Sequence, residues 1–451
     1  MTLQNPQKRV HMVSLGCPKN RVDSEIMLGQ AHAAGYALTG EADEADLLIV
    51  NTCAFIEDSK KESVGAILDL AEVKALRPGT RLVVAGCLAQ RHAEELALEL
   101  PEVDVFLGTG EYNNLAERLG LATGIASPQT AKKPRPEYLA DHLEPRWIAP
   151  ESFSTYLKIA EGCDQACSFC IIPKLRGTQR SRTVADCVAE ARQLVERGVI
   201  EVNLVAQDLT HYGEDFGDPD ALAKLIRGLG QVDGLRWVRL LYAYPHNVSD
   251  SLIDAIAETE NCCKYVDMPL QHASDRVLQH MKRKTNRAQI EALLHRMRER
   301  IPGLTLRTTF LVGHPGEGEQ DFLQLLDFLK EQRFSRAGCF SYSREEGTLS
   351  ARLPDQVPTA VKKSRLAKVM KLQAGISKQL LQQTIGTELD VLIEGLSEET
   401  DLLLQGRTAG QAPEIDGVVY INDAPKDVGR GQIRRVHITQ ASEHDLVGHV
   451  V

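Results

Sequence analysis

Residues 161–170 of the chain read EGCDQACSFC, which places Cys163, Cys167 and Cys170 in one short loop after an apolar, strand-like run at 153–160. Structural zinc sites usually have four ligands, supplied as two Cys-x-x-Cys pairs. No fourth cysteine or histidine stands near these three in the sequence. We therefore interpret the loop as the site of an iron–sulfur cubane held by three thiolates, whose fourth iron is free to bind a small molecule. Structural zinc is the weaker alternative.

A series of strand-like and helix-like segments follows the cysteine loop. The predicted strands lie at residues 201–206, 238–242, 265–270, 304–312 and 336–342. Helical stretches lie between them, for example at 184–197, 286–301 and 319–333. Together with the run before Cys163 they form six βα units. Six such units predict an open parallel barrel with its functional site at the carboxyl ends of the strands.

Four residues near these predicted strand ends are candidate cofactor contacts: Gln207, Arg307, Gly313 and Gly316. Gly313 and Gly316 would let the backbone approach an adenine or a ribose, although ordinary turn formation explains two glycines equally well. A solvated or structural role stays open for Gln207 and Arg307.

A basic run follows the cysteine loop and consists of Lys174, Arg176, Arg180 and Arg182. These side chains could hold the carboxylate of a cofactor or a substrate, or they could form a solvated basic face. The four cysteines outside the motifs are expected to be structural: Cys187, Cys262, Cys263 and Cys339.

The first third of the chain repeats a strand–helix unit. Three apolar runs end in Cys17, Cys53 and Cys87, which are 36 and 34 residues apart. Apolar strands that alternate with helices predict a parallel sheet covered on both faces, and such a sheet brings the carboxyl ends of its strands to one edge. We therefore expect these cysteines to converge on an iron–sulfur cluster or on a zinc ion with an open position, and their spacing does not choose between the two. Ser59 is the predicted N-cap of the helix at 59–76.

The C-terminal segment has the pattern of a small β domain. After a Lys-rich helical stretch at 358–383, the predicted strands lie at residues 388–394, 402–406, 417–421, 431–439 and 446–451. Five short strands with glycine-containing turns predict an OB-like barrel. From residue 386 onward, 12 Asp and Glu stand against 5 Lys and Arg, a net charge of −7. A surface that grips RNA is usually basic, so this acidic domain suits a basic protein partner, unless its charge only maintains solubility.

The whole chain has 451 residues and a net charge of −10, of which the C-terminal domain carries most. No apolar run approaches the roughly 20 residues that span a bilayer, and the N-terminus lacks a signal-peptide pattern. We therefore expect a cytoplasmic protein with no membrane contact. Ten cysteines are too sparse for a disulfide scaffold in so long a chain. The segment at 121–148 is rich in Pro, Ala, Lys and Thr and is predicted to be a linker.

The cysteine loop resembles the radical S-adenosylmethionine (SAM) superfamily, and Phe169, directly before the last cysteine, matches it as well. The order of the three parts is similar to that of the methylthiotransferase family. The segments that carry this resemblance are LGCPKN at 15–20, NTCAFI at 51–56, GCLAQR at 86–91 and CDQACSFCIIPKLRG at 163–177.

The resemblance implies an α/β fold in three parts. An N-terminal parallel α/β sheet domain at 8–120 is followed, after the linker, by an open (β/α)6 radical SAM barrel at 149–380. A TRAM domain, which is a small antiparallel OB-like β-barrel, occupies 383–451.

The resemblance also implies two 4Fe–4S clusters, one held by each cysteine triad. The triad of the barrel would generate a radical from SAM, and the N-terminal triad would hold the sulfur that is inserted. A low-potential electron donor such as flavodoxin or ferredoxin is an expected partner. We expect SAM contacts from Phe169, Gln207, Arg307, Gly313 and Gly316.

Two substrate classes occur in this family. One is an adenosine of tRNA, and the other, for the RimO type, is the β-carbon of an aspartate in a small-subunit ribosomal protein. Pro18-Lys19-Asn20 resembles the RimO type, whereas the tRNA branch tends to have Gln-Met-Asn there. The acidic C-terminal domain also favours a basic ribosomal protein over tRNA as the substrate. We predict a ribosomal protein methylthiotransferase; the alternatives are a tRNA methylthiotransferase and, less favoured, a non-catalytic iron–sulfur or zinc module.

Overall fold

The computed structural model describes residues 7–121 and 135–451, which form two large parallel sheets, a small hairpin and a closed barrel. The strands and α-helices of the N-terminal part are β1 (Arg9–Ser14), α1 (Pro18–Ala33), β2 (Ala37–Leu38), β3 (Leu47–Thr52), α2 (Glu57–Leu76), β4 (Arg81–Gly86), α3 (Cys87–Glu99), β5 (Val105–Leu107) and α4 (Leu115–Arg118). All five strands are parallel and lie in the order β2-β1-β3-β4-β5.

The register of this sheet brings three loops to one edge. Every residue of β3 is buried, as expected for a central parallel strand covered on both faces. Ser14 lies opposite Asn51, and Thr52 lies opposite Gly86, so β1, β3 and β4 end side by side. The parallel sheet predicted from the repeated apolar runs is confirmed.

The predicted N-cap of the second helix is wrong. α2 begins at Glu57, with Ile56 in the N-cap position and no side-chain cap. Ser59 lies inside the first turn instead, and its hydroxyl is hydrogen-bonded to Cys53. A serine that contacts the Cys53 loop therefore resembled an N-cap residue in the sequence.

The central part contains the second parallel sheet. Its strands and α-helices are β6 (Ser154–Lys158), β7 (Ala160–Glu161), α5 (Ile172–Arg176), β8 (Arg180–Ser181), α6 (Val184–Glu196), β9 (Glu201–Val205), α7 (Ala221–Leu229), β10 (Trp237–Leu240), α8 (Asp250–Glu258), β11 (Cys262–Asp267), α9 (Asp275–His280), α10 (Arg287–Arg300), β12 (Thr305–Val312), α11 (Glu319–Gln332), β13 (Arg336–Ser341) and α12 (Thr359–Gln382). The six long strands are parallel in the order β13-β12-β11-β10-β9-β6. In the described structure the edge strands β6 and β13 do not pair, so the predicted open (β/α)6 barrel is confirmed.

A two-stranded antiparallel hairpin frames the cysteine loop. β7 pairs with β8, and the loop between them contains Cys163, Cys167, Cys170 and the short helix α5. Short 3-10 helices complete the described secondary structure at Ala42–Glu44, Tyr112–Asn114, Leu209–His211, Glu214–Phe216, Pro245–Asn247 and Ser350–Arg352.

The C-terminal part is a five-stranded closed barrel. Its strands are β14 (Glu388–Leu396), β15 (Leu404–Thr408), β16 (Val419–Asp423), β17 (Ile433–Ala441) and β18 (Leu446–Val450). Four of the strand pairs are antiparallel, and β16 pairs with β18 in parallel to close the barrel. Its core is small and aliphatic. The predicted small β-barrel is confirmed, with this one parallel pair added.

A buried carboxylate attaches the C-terminal barrel to the central sheet. Glu201, the first residue of β9, pairs with Arg239 of β10 at 3.0 Å and with Arg407 of β15 at 2.6 Å. Burial alone would raise the pKa of Glu201, but Arg407 and Arg239 outweigh it and lower that pKa to about 2. The loop after β15 adds further contacts, since Asp416 accepts a hydrogen bond from the Tyr265 hydroxyl at 2.8 Å.

The described part of the predicted linker, residues 135–148, packs against both sheets. Arg146 pairs with Glu25 of α1 at 2.6 Å and with Glu190 of α6 at 2.6 Å. The backbone N–H of Trp147 donates to the Glu25 carbonyl at 2.9 Å. Residues 122–134 of this linker lie outside the described residues, and the domain limits at 120, 149 and 383 remain predictions. In the described residues, no helix is both long enough and apolar enough to cross a membrane.

Replacing Glu201 with Gln should destabilise the attachment of the C-terminal barrel. The change leaves Arg239 and Arg407 without their buried carboxylate, a loss of about 3–5 kcal/mol. Because the pKa of Glu201 is lower in the folded chain than in the unfolded one, its contribution is complete above about pH 4.5 and is lost as the pH falls toward 2. Urea unfolding is followed by tryptophan fluorescence from pH 7 to pH 3. The free energies of unfolding of the wild type and of Glu201→Gln should converge as the pH falls.

Glu443→Gln is the matched control, because Glu443 is exposed on the same barrel. An unfolding midpoint of Glu201→Gln equal to that of this control at pH 7 would contradict the buried attachment.

Candidate metal centres

The three N-terminal cysteines converge at the edge of the first sheet. Cys17 is the N-cap residue of α1, Cys53 follows β3, and Cys87 is the first residue of α3. Gly16 adopts φ +94°, and a Cβ added there would lie 2.9 Å from the Cβ of Cys53. The left-handed glycine therefore permits the Cys17 and Cys53 loops to touch.

Backbone-directed hydrogen bonds hold these cysteine loops together. The Asn20 side chain donates to the carbonyls of Leu15 at 3.0 Å and of Thr52 at 2.9 Å, which ties the first loop to the second. The Thr52 hydroxyl accepts from the Leu88 N–H at 3.2 Å, which ties the second loop to the third. Ser63 accepts a hydrogen bond from the Cys53 N–H at 3.0 Å.

The second triad lies in the loop between β7 and β8. The Gln165 N–H donates to the Cys163 sulfur at 3.4 Å, and Arg283 donates to the Cys167 sulfur at 3.6 Å. The Cys170 N–H donates to the Cys167 carbonyl at 3.1 Å and closes a tight turn. Backbone and guanidinium donors aimed at sulfur stabilise thiolate charge, which is what a metal ligand requires.

Hydrogen bonds among buried side chains hold the second cysteine loop in place. The Ser168 hydroxyl donates to the His280 carbonyl at 2.7 Å, and the Ser350 hydroxyl donates to the Ser168 hydroxyl at 2.8 Å. His314 lies against both serines, with its Nε2 2.8 Å from the Ser350 Oγ. The loop is therefore fixed by protein contacts before any metal is bound.

Burial makes four of the six cysteine thiols hard to ionise. Burial raises the pKa of Cys163 and of Cys170 to about 12. Burial also raises the pKa of Cys87 to about 12, against the opposing effect of Arg176, and it raises the pKa of Cys53. Thiols with such pKa values stay protonated at neutral pH, so their ionisation must accompany metal binding.

The chemistry of both triads fits a cluster. Each offers three sulfur donors, which is the ligand type of iron–sulfur clusters. Near the second triad, the Gln165 Oε1, the Gln207 Oε1 and the Arg283 Nε are buried without a hydrogen-bond partner. Buried polar atoms normally have partners, so these atoms leave donors and acceptors for a polar group bound beside the cysteines.

Phe169, Gln207 and Arg307, three of the predicted cofactor contacts, have protein partners of their own. The Phe169 ring packs edge-on to His314, with the ring centroids 6.5 Å apart. The Gln207 amide donates to Glu161 at 2.8 Å. Arg307 lies inside β12 and donates to Asp267 at 2.7 Å.

The two predicted glycine contacts face protein side chains. A Cβ at Gly313 would lie 2.4 Å from the Lys362 Cγ, and one at Gly316 would lie 3.2 Å from the His280 ring. The close approaches that these glycines allow in the structure are thus to Lys362 and His280, and their contact with SAM stays a prediction.

Only part of the basic run after the cysteine loop is buried: Arg176 and Arg182 are buried, Arg180 is half-buried and Lys174 is exposed. Lys174 donates to the Gly347 carbonyl at 2.8 Å, and Arg180 donates to the Thr178 carbonyl at 2.6 Å. Arg182 is buried and pairs with Asp186 and Glu190. Arg182 therefore uses its charge inside the protein, on two carboxylates of α6, whereas the Lys174 side chain stays at the surface. Arg176 has a different role.

Four charged side chains, here called the junction cluster, join the two parallel sheets: Asp23, Lys158, Glu161 and Arg176. Asp23 of α1 pairs with Lys158 and, at 2.9 Å, with Arg176. Glu161 pairs with Lys158 at 2.8 Å and with Arg176 at 3.0 Å. Each of the four side chains is at most 3% exposed, and two positive charges balance two negative ones. A buried cluster of this kind is stable only while every member is present.

The junction cluster connects the two cysteine triads. Arg176 also donates to the Asn20 side chain, and its guanidinium lies 3.9 Å from the Cys87 sulfur. Glu161 stands two residues before Cys163. One guanidinium–carboxylate pair therefore links a ligand of the first triad to the loop that holds the second.

Sequence reasoning missed three of these residues. Lys158 and Glu161 interrupt the apolar run of β6 and β7, and a charge inside a predicted buried strand is a signal that could have found them. Asp23 gives no such signal, because it lies in a largely polar stretch of α1 at residues 19–25.

Family models match all three parts of the chain. They are the uncharacterized protein family UPF0004 at residues 9–108, the radical SAM superfamily at 157–329 and the TRAM domain at 385–451.

Curated relatives match the chain over nearly its full length. A ribosomal protein uS12 methylthiotransferase RimO from Anaeromyxobacter sp. (strain K) is 54% identical over 446 residues, covering 98% of this chain and 93% of the relative. One from Geobacter sulfurreducens (strain ATCC 51573 / DSM 12127 / PCA) is 48% identical over 458 residues, covering 100% of both.

Solved structures resemble the fold at low identity. The radical S-adenosylmethionine methyltransferase TsrM from Kitasatospora setae, with cobalamin and a 4Fe–4S cluster bound, has a TM-score of 0.57 at 14% identity over 85% of this chain and 80% of that one. The cobalamin-dependent S-adenosylmethionine radical enzyme OxsB has a TM-score of 0.51 at 12% identity, covering 82% and 56% of the two chains.

Replacing Asp23 with Asn should loosen the junction between the two sheets. Asn has the same shape but leaves Lys158 and Arg176 with one carboxylate between them, a cost of about 3–5 kcal/mol. We expect a lower unfolding temperature by calorimetry and faster proteolysis between residues 107 and 154. Asp58→Asn, at an exposed position of α2, is the control. Equal stability of the two variants would show that the junction cluster does not hold the domains.

Proposed function

The chain belongs to the ribosomal protein uS12 methylthiotransferase (RimO) family, and from this membership we propose that it inserts a methylthio group at the β-carbon of an aspartate in ribosomal protein uS12. It is a radical SAM methylthiotransferase. We further propose that it uses two 4Fe–4S clusters, one at Cys17, Cys53 and Cys87 and one at Cys163, Cys167 and Cys170. Action on a ribosomal protein would take place in the cytoplasm.

The observation that carries the two-cluster proposal is the presence of two separate thiol triads joined by the junction cluster. When bound, the barrel cluster with SAM would supply a radical that removes hydrogen from an unactivated carbon, and the N-terminal cluster would carry the sulfur. A carbon atom that first loses hydrogen and then receives sulfur has to lie close to both triads while the substrate stays bound in one position. A rigid link between the triads meets this requirement.

The chain's own residues position and shield these groups. The Gln165 N–H and Arg283 stabilise charge on the sulfurs of Cys163 and Cys167. Arg176 places a buried positive charge beside Cys87, where burial would otherwise oppose a thiolate. An electron donor of low potential, such as flavodoxin or ferredoxin, belongs to the same proposal.

We keep Phe169, Gln207, Arg307, Gly313 and Gly316 as proposed SAM contacts. Gln207 is the best supported of them, because its Oε1 is buried without a partner while its amide is held by Glu161. Arg307 is the least supported, because its guanidinium is already paired with Asp267.

The exposed surface of the C-terminal barrel favours a basic protein as the substrate. The turn between β14 and β15 carries Glu398, Glu399 and Asp401, all exposed. The leucines at its two ends, Leu396 and Leu402, are 58% and 88% exposed. Acidic side chains beside exposed leucines suit a Lys- and Arg-rich protein surface and repel the phosphates of RNA.

Mass spectrometry of ribosomal proteins and of tRNA nucleosides from cells with and without the gene tests the substrate. We expect loss of a methylthio group, about 46 Da, from one aspartate peptide of uS12, while tRNA nucleosides stay unchanged. Restoring the gene on a plasmid should restore the modification. If cells without the gene lose the methylthio group from a tRNA adenosine while uS12 keeps its own, the proposed substrate is overturned and the tRNA alternative is favoured.

Single cysteine variants of the reconstituted enzyme should separate the two triads. Each of Cys53→Ala and Cys167→Ala should lose about four of the eight iron atoms expected for two 4Fe–4S clusters. Cys167→Ala should abolish formation of 5′-deoxyadenosine, whereas Cys53→Ala should keep it and lose methylthio transfer. Cys187→Ala, at a buried cysteine outside both triads, is the control and should keep all the iron. Full iron content in either triad variant would refute the two-cluster proposal.

A further inference from the structure

Lys19 differs from the other buried cations of the described structure. The buried Lys and Arg residues there are Lys19, Lys158, Arg176, Arg182, Arg239, Arg365 and Arg407. Six of them form ion pairs with buried or half-buried carboxylates. Lys19 is 7% exposed, and no carboxylate of the described residues lies within ion-pair distance of it. Its contacts are instead a hydrogen bond to the Tyr242 side chain and an electrostatic interaction with Cys17. A buried ammonium group without a carboxylate is costly and usually marks a site where an anion binds.

The position of Lys19 connects the first triad with the mouth of the barrel. It lies in the first turn of α1, two residues after Cys17. Its Nζ is 3.3 Å from the centroid of the Tyr242 ring, and Tyr242 follows the carboxyl end of β10. Carboxyl ends of barrel strands form the functional face of such folds. Lys19 therefore lies between the sulfur ligands of one sheet and the functional face of the other.

The side chain that receives Lys19 is itself held in an unusual conformation. Tyr242 has φ +69°, in the left-handed region that bulky residues rarely adopt, and its N–H donates to Asp267 at 3.2 Å. In this conformation the face of the Tyr242 ring lies against the Lys19 ammonium group. Tyr242 attracts the ammonium group and takes one hydrogen bond from it without neutralising it, so the other donors of Lys19 stay available to an anion.

We propose that the Lys19 ammonium binds the side-chain carboxylate of the substrate aspartate. This inference rests on the proposed function and names the residue that recognises its substrate. The β-carbon of aspartate is bonded directly to the carboxylate carbon, so any pose that brings this carbon to the N-terminal triad brings the carboxylate beside Cys17 as well. The positive end of α1 reinforces the attraction, because Lys19 lies in the first turn of a 16-residue helix.

This assignment predicts selectivity by charge. Asparagine has nearly the shape of aspartate but cannot form the charge-assisted hydrogen bond, which has a larger effect than a neutral one. The enzyme should therefore bind uS12 with the target aspartate more tightly than uS12 with asparagine at that position, by about 10- to 100-fold. The difference should depend on Lys19.

The test compares binding of purified Asp and Asn forms of uS12 to the full-length, anaerobically reconstituted enzyme. We expect Lys19→Met, which keeps the length and removes the charge, to reduce the Asp preference in Kd to about twofold or less. Lys19→Arg should retain part of the preference. Lys61→Met, at an exposed position of α2, should retain all of it. Iron content and 5′-deoxyadenosine formation are measured on every variant.

The outcomes separate this inference from the function on which it rests. A Lys19→Met enzyme that keeps its iron and still prefers the Asp form as strongly as wild type would refute the role of Lys19 alone. A Lys19→Met enzyme that loses iron and weakens both forms equally would also refute it, since Lys19 would then serve only the cluster. A wild-type enzyme that binds neither form would refute the proposed substrate together with the inference.

Discussion

The interaction on which the rest of the structure depends is the junction cluster of Asp23, Lys158, Glu161 and Arg176. Burying four charges is costly, and the cost is offset only because each charge faces two opposite ones within a closed, balanced arrangement. Such an arrangement has one geometry. It therefore fixes the N-terminal sheet against the barrel more sharply than an apolar contact of the same size, which tolerates sliding.

The relative position of the two cysteine triads depends on the geometry of the junction cluster. Glu161 is two residues from Cys163, and Arg176 lies 3.9 Å from the Cys87 sulfur, so a shift at the junction would move ligands of both proposed clusters. Chemistry that requires one carbon atom to meet two centres tolerates little displacement, because a misplacement of about 1 Å already costs a large factor in rate. The polar junction supplies this precision beside an apolar core cluster that itself spans the N-terminal sheet, the central sheet and the C-terminal barrel.

The fold and the positions of the two cysteine triads could be predicted from the sequence because their signals are local. Apolar runs at βα spacing indicate parallel strands, and three cysteines within eight residues indicate a metal loop. The junction could not be predicted, since Asp23 and Lys158 are 135 residues apart and Arg176 and Asn20 are 156 apart. The basic run shows the consequence, because a series of Lys and Arg looks the same in sequence whether its partners are water or buried carboxylates.

Helix α1 explains why so many polar residues are buried at one place. Lys19 faces the Tyr242 ring of the barrel, Asn20 receives Arg176, Arg21 pairs with Glu414 of the C-terminal barrel, and Asp23 receives Lys158. All three parts of the chain therefore contact the same two turns, directly after a proposed cluster ligand. The same helix also contributes Val22, Ile26, Met27 and Ala31 to an apolar core, so its polar contacts are concentrated in its first two turns. A substrate protein held by the C-terminal barrel would be anchored to the same helix that begins directly after Cys17 and carries the Lys19 ammonium group.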